Sequence, residues 1–525
     1  MAKNNTAPLT VRSQSIGDIP RRSAVRNPSS TAIIDGDTRF TYAELDGVCD
    51  RVAAAAQAAG LVKGDVVMVM SRNCWQLAVL PWSIARAGAV LAPVNTFLTA
   101  DEVSKLITMV DPRAFIVDRH CVEVVTEALE MAGRGDLTRL VIEPSSKATE
   151  LGWGDFGDWA SFEGTPNRVD VDDSDPVRLM FTSGSESLPK AVMLSSRALM
   201  WQYASVVADG EYVADDVELH FMPMYHTGQL DAFLGPDLYV GATSVIVRNG
   251  TPTEIMRMLK AHQVTKMFAT PTKWIEILAS PDFNAESFAS VRKGYYGASA
   301  MPVQVLRRLH EQLPHVRLWN YYGQTEMSPI ATVLTPEEQI AFAGSAGRPA
   351  LNVEMAILDE ENKPLADGVV GEVCFRSPHT ALGYYRDEAA TRHLFRGGWL
   401  HSGDLGYRAP TGRLYFVDRM RDTINIGGEK VSTVEVENAI TSHEDVHECA
   451  VFGVADPVYI EAVIAVVVPR PGAAVDPKAL QTFARRILAS FKVPRHIFVV
   501  EALPKNGTGK VLKRQLREQY GNVGL

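Results

Sequence analysis

Apolar positions along this chain fall into short blocks that alternate between two periods. Residues 31–45 carry short β-branched runs around a Gly36-Asp37 turn and open a helix at Thr41, where Glu44 stands three residues on as a capping-box partner. The spacing predicts a helix over 42–59 with alanines on its inner face, then an all-apolar strand over 66–70. Helices near 75–88 and 100–109 alternate with strands 89–93 and 114–117, which implies parallel sheets with helical cover. Residues 145–176 are rich in Gly, Ser and Asp, show little periodicity and read as a loop. A helix over 196–207, strands 218–222 and 244–247, a helix over 252–261 and a strand over 265–269 resume the alternation. Apolar segments stop at small or polar clusters at 223–228, 270–272, 294–299 and 319–326. Strand ends of that kind form the floor of a ligand site.

From about residue 344 the texture changes to short strands with turn residues every eight to twelve positions, as in a β-rich subdomain. A second boundary is expected near Arg421. Beyond it the pattern predicts a compact α+β stretch with helices at 433–441 and 477–489 and strands at 447–453 and 461–468. The expected fold is therefore α/β. A large N-terminal domain, 1–420, holds two doubly wound sheets and a β-rich subdomain at 344–420, and a small α+β C-terminal domain covers 421–525.

Composition narrows the function. The 525 residues exceed one ordinary core, and 46% hydrophobic with 22% charged residues describes a soluble globular protein. With 52 Lys and Arg against 62 Asp and Glu, the net charge of −10 argues against nucleic-acid binding. Locally, 470–517 carries 11 basic residues against 2 acids, either a solvated basic face or a surface that meets phosphates. Five scattered cysteines without a CxxC pair support neither a zinc site nor a disulfide framework and fit a reducing cytosol. The first residues lack the apolar core of a signal peptide, and the most apolar stretch, 77–94, is broken by Arg86 and two prolines. No membrane span is expected, and the location expected is cytoplasmic.

The candidate chemistry centres on 179–196, LMFTSGSESLPKAVMLSS. An apolar lead-in meets Thr182, Ser183, Gly184, Ser185, Glu186 and Ser187, then Pro189-Lys190. Small residues let backbone N–H groups turn toward anionic oxygens, hydroxyls add donors, and lysine supplies a mobile charge. It is not a Walker A loop, because GxxxxGK[ST] is absent. With YYGQTE at 321–326, SGD at 402–404, YFVDR at 415–419, GGEK at 427–430 and PKNGTGK at 504–510, the chain resembles the adenylate-forming superfamily from about residue 17 to 515. That superfamily contains acyl-CoA and aryl-CoA ligases.

The resemblance implies attack of a carboxylate on the α-phosphorus of ATP, release of pyrophosphate, and displacement of AMP by a thiol such as that of coenzyme A. Anion meets anion in the first step, so oriented donors and cations carry the catalysis. By resemblance, Thr182, Ser183, Gly184, Ser185 and Lys190 hold the outer phosphates. Thr325 contacts the α-phosphate, and Glu326 binds Mg²⁺. Tyr322, beside Gly323, stacks on adenine, with Gly297, Ala298 and Ser299 along its edge. Asp404 and Arg419 take the ribose. Lys510 serves the adenylation step, and His226 orients the carboxylate and gates the acyl tunnel. Arg421 is the hinge of a mobile C-terminal domain, and Gly427 and Gly428 line the pantetheine tunnel. The basic tail is expected to meet the nucleotide of CoA.

The acyl pocket is expected around Gly228, Gln229, Asp231, Tyr296 and Tyr321, with Gln229 and Asp231 either reading a substituent or bonding to backbone. Gly228 leaves room for an aromatic ring or an alkyl chain. The partner expected is a small carboxylic acid, aromatic or fatty, and a homodimer is compatible with the sequence. Three departures stand out: Glu186 and Ser187 replace the family's Thr-Gly, Ala191 replaces Gly, and Ser377 stands where many relatives have glycine. Two competing readings are open. One is transfer to another acceptor, a carrier protein or an amine, or nitrite activation with Asp231 holding an aryl amine. The other is a non-catalytic nucleotide binder.

Overall fold

A computed structural model describes residues 14–182, 189–299, 301–420, 422–426, 429–456, 459–505 and 511–521. The chain forms two compact units. One runs to Glu354 and resumes over Arg376–Leu400; the other takes Met355–Phe375 and the chain from His401 onward.

The first unit holds the two doubly wound sheets that the alternation predicts. In the larger, the described strands run in the order Arg348–Pro349, Ile330–Leu334, Arg317–Gly323, Lys293–Gly297, Lys266–Phe268, Val217–His220, Thr243–Ile246, Thr31–Asp35 and Thr38–Thr41. The six from Arg317–Gly323 to Thr31–Asp35 are parallel, and the flanking pairs are antiparallel. The other runs Gly383–Tyr384, Lys190–Ser195, Pro176–Thr182, Val90–Pro93, Val66–Met70, Ala114–Val117, Thr138–Val141 and Gly154–Asp155. Its central strand, Val66–Met70, is buried throughout, as a parallel strand covered on both faces must be.

Local signals hold where they are strongest. Thr41 accepts from the Glu44 N–H and Glu44 caps the Thr41 N–H, so the helix Tyr42–Ala58 opens on the capping box foreseen for it. The stretch 145–176 departs from its reading as a loop. It contains the short helices Ser146–Glu150 and Phe156–Ala160, and Trp153, Phe156 and Trp159 bury their rings. Three aromatic pegs in a polar segment give no period, yet they pin it to the core. Among the described residues no helix is long and apolar enough to cross a membrane.

The second unit contains two sheets. Strands Glu354–Leu358, Gly371–Arg376, Leu400–Arg408 and Leu414–Arg419 form one; Glu429–Val431, Ile424–Ile426, Ile460–Pro469 and Val446–Asp456 form the other, with His496–Val499 added in parallel to Ile460–Pro469. The helix Thr433–Thr441 packs under a core that includes Val436, Ile440, Val451 and Val467. The last predicted helix is shorter than its pattern, Pro477–Ala484.

Candidate active site

Four neighbouring parallel strands of the larger sheet, Val217–His220, Lys266–Phe268, Lys293–Gly297 and Arg317–Gly323, end on one side of the first unit. Each leads into a polar cluster read from the sequence, so His226, Ala298, Ser299, Thr325 and Glu326 lie past the carboxyl ends of these strands and Tyr322 is the penultimate residue of its own. The register Gly297↔Tyr321 sets two of those ends level. Gly297 is required there: a Cβ would lie 2.4 Å from the Tyr321 carbonyl oxygen. Gly323 is tighter still, since a Cβ would sit 1.9 Å from the Pro329 oxygen. Ala298 holds φ 66°, a conformation alanine rarely adopts, and exposes its side chain along with Ser299.

Glu326 lies in the turn Thr325–Met327 and is 8% exposed. Its carbonyl accepts from the Ala381 N–H at 2.8 Å, and its Oε1 accepts from the Tyr384 hydroxyl at 2.8 Å. Tyr384 belongs to the two-residue strand on the edge of the other sheet, paired with the strand Lys190–Ser195. Lys190 Nζ stands 4.5 Å from the centroid of the Tyr384 ring, and Lys190 pairs across the ladder with Thr182. The expected phosphate lysine and metal carboxylate thus converge on one tyrosine. A buried hard carboxylate suits Mg²⁺, which takes one or two carboxylates and fills its other positions with phosphate oxygens and water. The remaining loop residues, Ser183, Gly184, Ser185, Glu186 and Ser187, lie outside the described residues, as do Lys510, Arg421, Gly427 and Gly428.

His226 is half-buried with its Nε2 enclosed and without a hydrogen-bond partner among the described residues. Burial pushes its pKa down to about 4, so the ring is neutral at neutral pH. The loop before it is clasped by Asn73, a residue the sequence reading missed. The Asn73 side-chain amide donates to the Met222 carbonyl at 2.9 Å and its Oδ1 accepts from the Met224 N–H at 2.9 Å. The only sequence signal was an Asn three residues after the strand Val66–Met70. Gly228 follows His226 with open space, because a Cβ would meet only Phe268 Cε1 at 3.9 Å.

Three pocket expectations, those for Asp231, Tyr296 and Tyr321, are corrected, and the choice left open for Gln229 is decided. Asp231 is fully buried, forms an ion pair with Arg178 and accepts from the Tyr203 hydroxyl at 3.0 Å. Gln229 bonds to the Met222 N–H through Oε1 and to His220 Nδ1 at 2.7 Å, so the backbone-bonding alternative is the one realised. Tyr296 is buried and donates to Gln339 Oε1 at 2.7 Å. Tyr321 is buried among Phe233, Tyr295 and Tyr212, because strand alternation turns it inward and leaves Tyr322 half-buried on the opposite face. Asp231 and Tyr296 serve partners distant in sequence, Arg178 and Gln339, rather than a substrate. An arginine inside the apolar strand Pro176–Thr182 was a visible sign that a buried acid must exist elsewhere.

The nearby group Glu218, His220 and Asp237 is also structural. Lys266 Nζ sits 2.8 Å from Glu218, pairs with Asp237 and lies 3.3 Å from the Tyr212 ring centroid, occupying the position a cation would take. Ser377, the departure from glycine, donates to the Asn352 carbonyl at 2.8 Å and accepts from the His379 N–H at 3.2 Å. His379 in turn bonds to the Met327 carbonyl at 2.9 Å, and burial lowers its pKa to about 4.

In the second unit the two residues expected at the ribose are cross-strand partners, with Arg419 Nε 3.5 Å from Asp404 Oδ1. Glu372 supports this turn: it accepts from the Gly403 N–H at 3.0 Å and meets His401 Nδ1 at 2.8 Å, with Cys374 Sγ 3.3 Å from the same nitrogen. Part of the basic tail is paired with acids of its own unit. Lys492 pairs with Glu435, Arg495 with Asp456, Lys505 with Glu448, Lys513 with Glu437, and Arg517 with Asp422. That internal pairing weakens the expectation that the tail is a dedicated phosphate surface.

Comparison with known proteins agrees with this geometry. The AMP-binding enzyme family matches residues 20–385, and the AMP-binding enzyme C-terminal domain matches residues 435–510. A feruloyl-CoA synthase of Amycolatopsis sp is 31% identical over 97% of this chain and all of that protein. The 4-coumarate–CoA ligase 3 of Oryza sativa subsp. japonica is 30% identical over 92% of this chain and 88% of its own length. ATP-bound MatB from Rhodopseudomonas palustris has a TM-score of 0.88 at 27% identity, covering 97% of this chain and all of that one. A benzoate CoA ligase from Burkholderia xenovorans has a TM-score of 0.87 at 26% identity, covering 96% and 100%. This chain belongs to the adenylate-forming AMP-binding enzyme family.

Proposed function

We propose that the protein is an ATP-dependent, AMP-forming acid–CoA ligase acting on an aromatic or fatty carboxylic acid. The observation that carries this reading is the convergence of Lys190 and Glu326 on Tyr384 beside the carboxyl ends of the parallel strands. Lys190 and Thr182 then grip the outer phosphates, Glu326 holds Mg²⁺, and Thr325 faces the α-phosphate. Mg²⁺ bound there would supply the positive charge that the phosphate chain needs. Tyr322 stacks on adenine beside Gly297, Ala298 and Ser299, while Asp404 and Arg419 hold the ribose. Neutral His226 orients the carboxylate without competing with Lys510 for its charge. After adenylation the C-terminal domain turns about Arg421, in a domain division at 420, and Gly427 and Gly428 admit the CoA arm. An aromatic acid is supported by relatives named for feruloyl-CoA and 4-coumarate.

Transfer to a non-CoA acceptor is the second reading, supported by a 29% identical relative named as a fatty acid–[acyl-carrier-protein] ligase. Nitrite-dependent diazotisation loses its supporting residue, since Asp231 is engaged by Arg178 and Tyr203. The test is a panel of carboxylic acids with ATP and Mg²⁺, scored by pyrophosphate release and by thioester formed with CoA. Acid-dependent ATP–pyrophosphate exchange that falls by a hundredfold or more in Lys510→Ala is expected. Rapid turnover without CoA would sink the ligase reading.

A further inference from the structure

The strand that carries Tyr384 is built to hold its ring still. Gly383 has φ 127°, and a Cβ there would lie 2.4 Å from Thr391 Cγ2, so only glycine lets Thr391 close against the backbone. Thr391 Oγ1 then accepts from the Tyr384 N–H at 2.9 Å. On either side, the Leu382 N–H donates to the Met193 carbonyl at 2.9 Å and the Tyr385 N–H to the Ala191 carbonyl at 2.8 Å. Ala381 binds the Glu326 backbone. Tyr384 is therefore fixed to the strand bearing Lys190 and to the turn bearing Glu326.

We propose that Tyr384 is a positioning residue for MgATP: its hydroxyl sets the Glu326 carboxylate toward the metal, and its ring face holds Lys190 ready for the phosphates. This inference rests on the adenylating function proposed above. The hydroxyl acts on a charged acceptor, the stronger class of hydrogen bond, so it holds the Glu326 carboxylate in one orientation. The ring attracts Lys190 only weakly, so phosphate oxygens can draw the ammonium away.

The hydroxyl and the ring can be separated. Tyr384→Phe removes only the hydroxyl, and Tyr384→Ala removes the ring face as well. ATP binding is measured by calorimetry without any acid, across a range of Mg²⁺, beside thermal unfolding of each variant. Tyr384→Phe should need about tenfold more Mg²⁺ for half-maximal ATP binding while binding metal-free ATP like the parent. Tyr384→Ala should also weaken metal-free ATP, by about threefold. In a Glu326→Gln background the Tyr384→Phe shift should vanish, which keeps the test decisive if either single variant loses stability. A folded Tyr384→Phe with the parent's Mg²⁺ dependence, or with equal losses at all Mg²⁺ levels, overturns the proposal. An unaltered protein that binds no MgATP would instead remove the adenylating reading itself, and this inference with it.

Discussion

Replacing Asp231 with asparagine isolates one buried charge. Arg178 and Asp231 both have side chains with 0% exposure, so neither is screened by water. Asparagine keeps the volume and leaves the Tyr203 hydroxyl a partner, which removes cavity formation from the comparison. What remains is a guanidinium inside an apolar strand without its counter-charge. Breaking a buried pair from one side costs about 3–5 kcal/mol, whereas replacing both partners with apolar residues is often neutral. Asp231→Asn should therefore lose about 3–5 kcal/mol in urea unfolding followed by tryptophan fluorescence, and Arg178→Met with Asp231→Leu should recover most of that. Among folded molecules the ranking of acids in the activation panel should not change. A variant that keeps its stability but changes which acid it accepts would refute the structural assignment and return Asp231 to the pocket.

Two other outcomes follow from burial and space. His226 and His379 both have folded pKa values of about 4 against an ordinary 6.5, so the unfolded chain binds their protons first. Stability should be intact above pH 6.5 and fall by about 1.4 kcal/mol per pH unit for each histidine as pH drops toward 4. His379→Asn should lessen that slope by up to about 1.4 kcal/mol per pH unit in unfolding series at pH 7, 6 and 5; an unchanged slope would contradict the burial argument. Gly323→Ala should cost about 3 kcal/mol or fail to fold, because its Cβ overlaps the Pro329 oxygen. Gly228→Ala should keep the parent's unfolding midpoint and move acid preference toward slimmer substrates, both read in the same unfolding and panel assays.

Sequence patterning was most legible where one force dominates. The strand Ala114–Val117 and the helices Pro252–Ala261 and Thr433–Thr441 match their predicted bounds, since an apolar run or a capped amphipathic turn has few competitors. The motif residues followed from order along the chain: Lys190 and Glu326 do approach one side chain. Pairings were not legible. That Asp231 faces Arg178, Gln229 faces His220, and Lys513 faces Glu437 depends on strands and helices brought together from distant positions. A polar residue near a strand end looks the same in sequence whether it reads a substrate or neutralises a core charge. Tyr384 stands out in sequence only as part of Gly383-Tyr384-Tyr385, because a tyrosine in a short β-rich segment carries no charge to explain.

The edge strand Gly383–Tyr384 is only two residues long, yet it and Ala381 supply the described contacts that tie Glu326 to the second sheet of its unit. Short edge pairings open with far less free energy than the sheets they border. Warming should thus detach this clasp while both sheets stay intact, and amides of 381–385 should exchange with solvent earlier than those of 190–195. The metal carboxylate would then have a working temperature of its own, set by a few hydrogen bonds rather than by the fold.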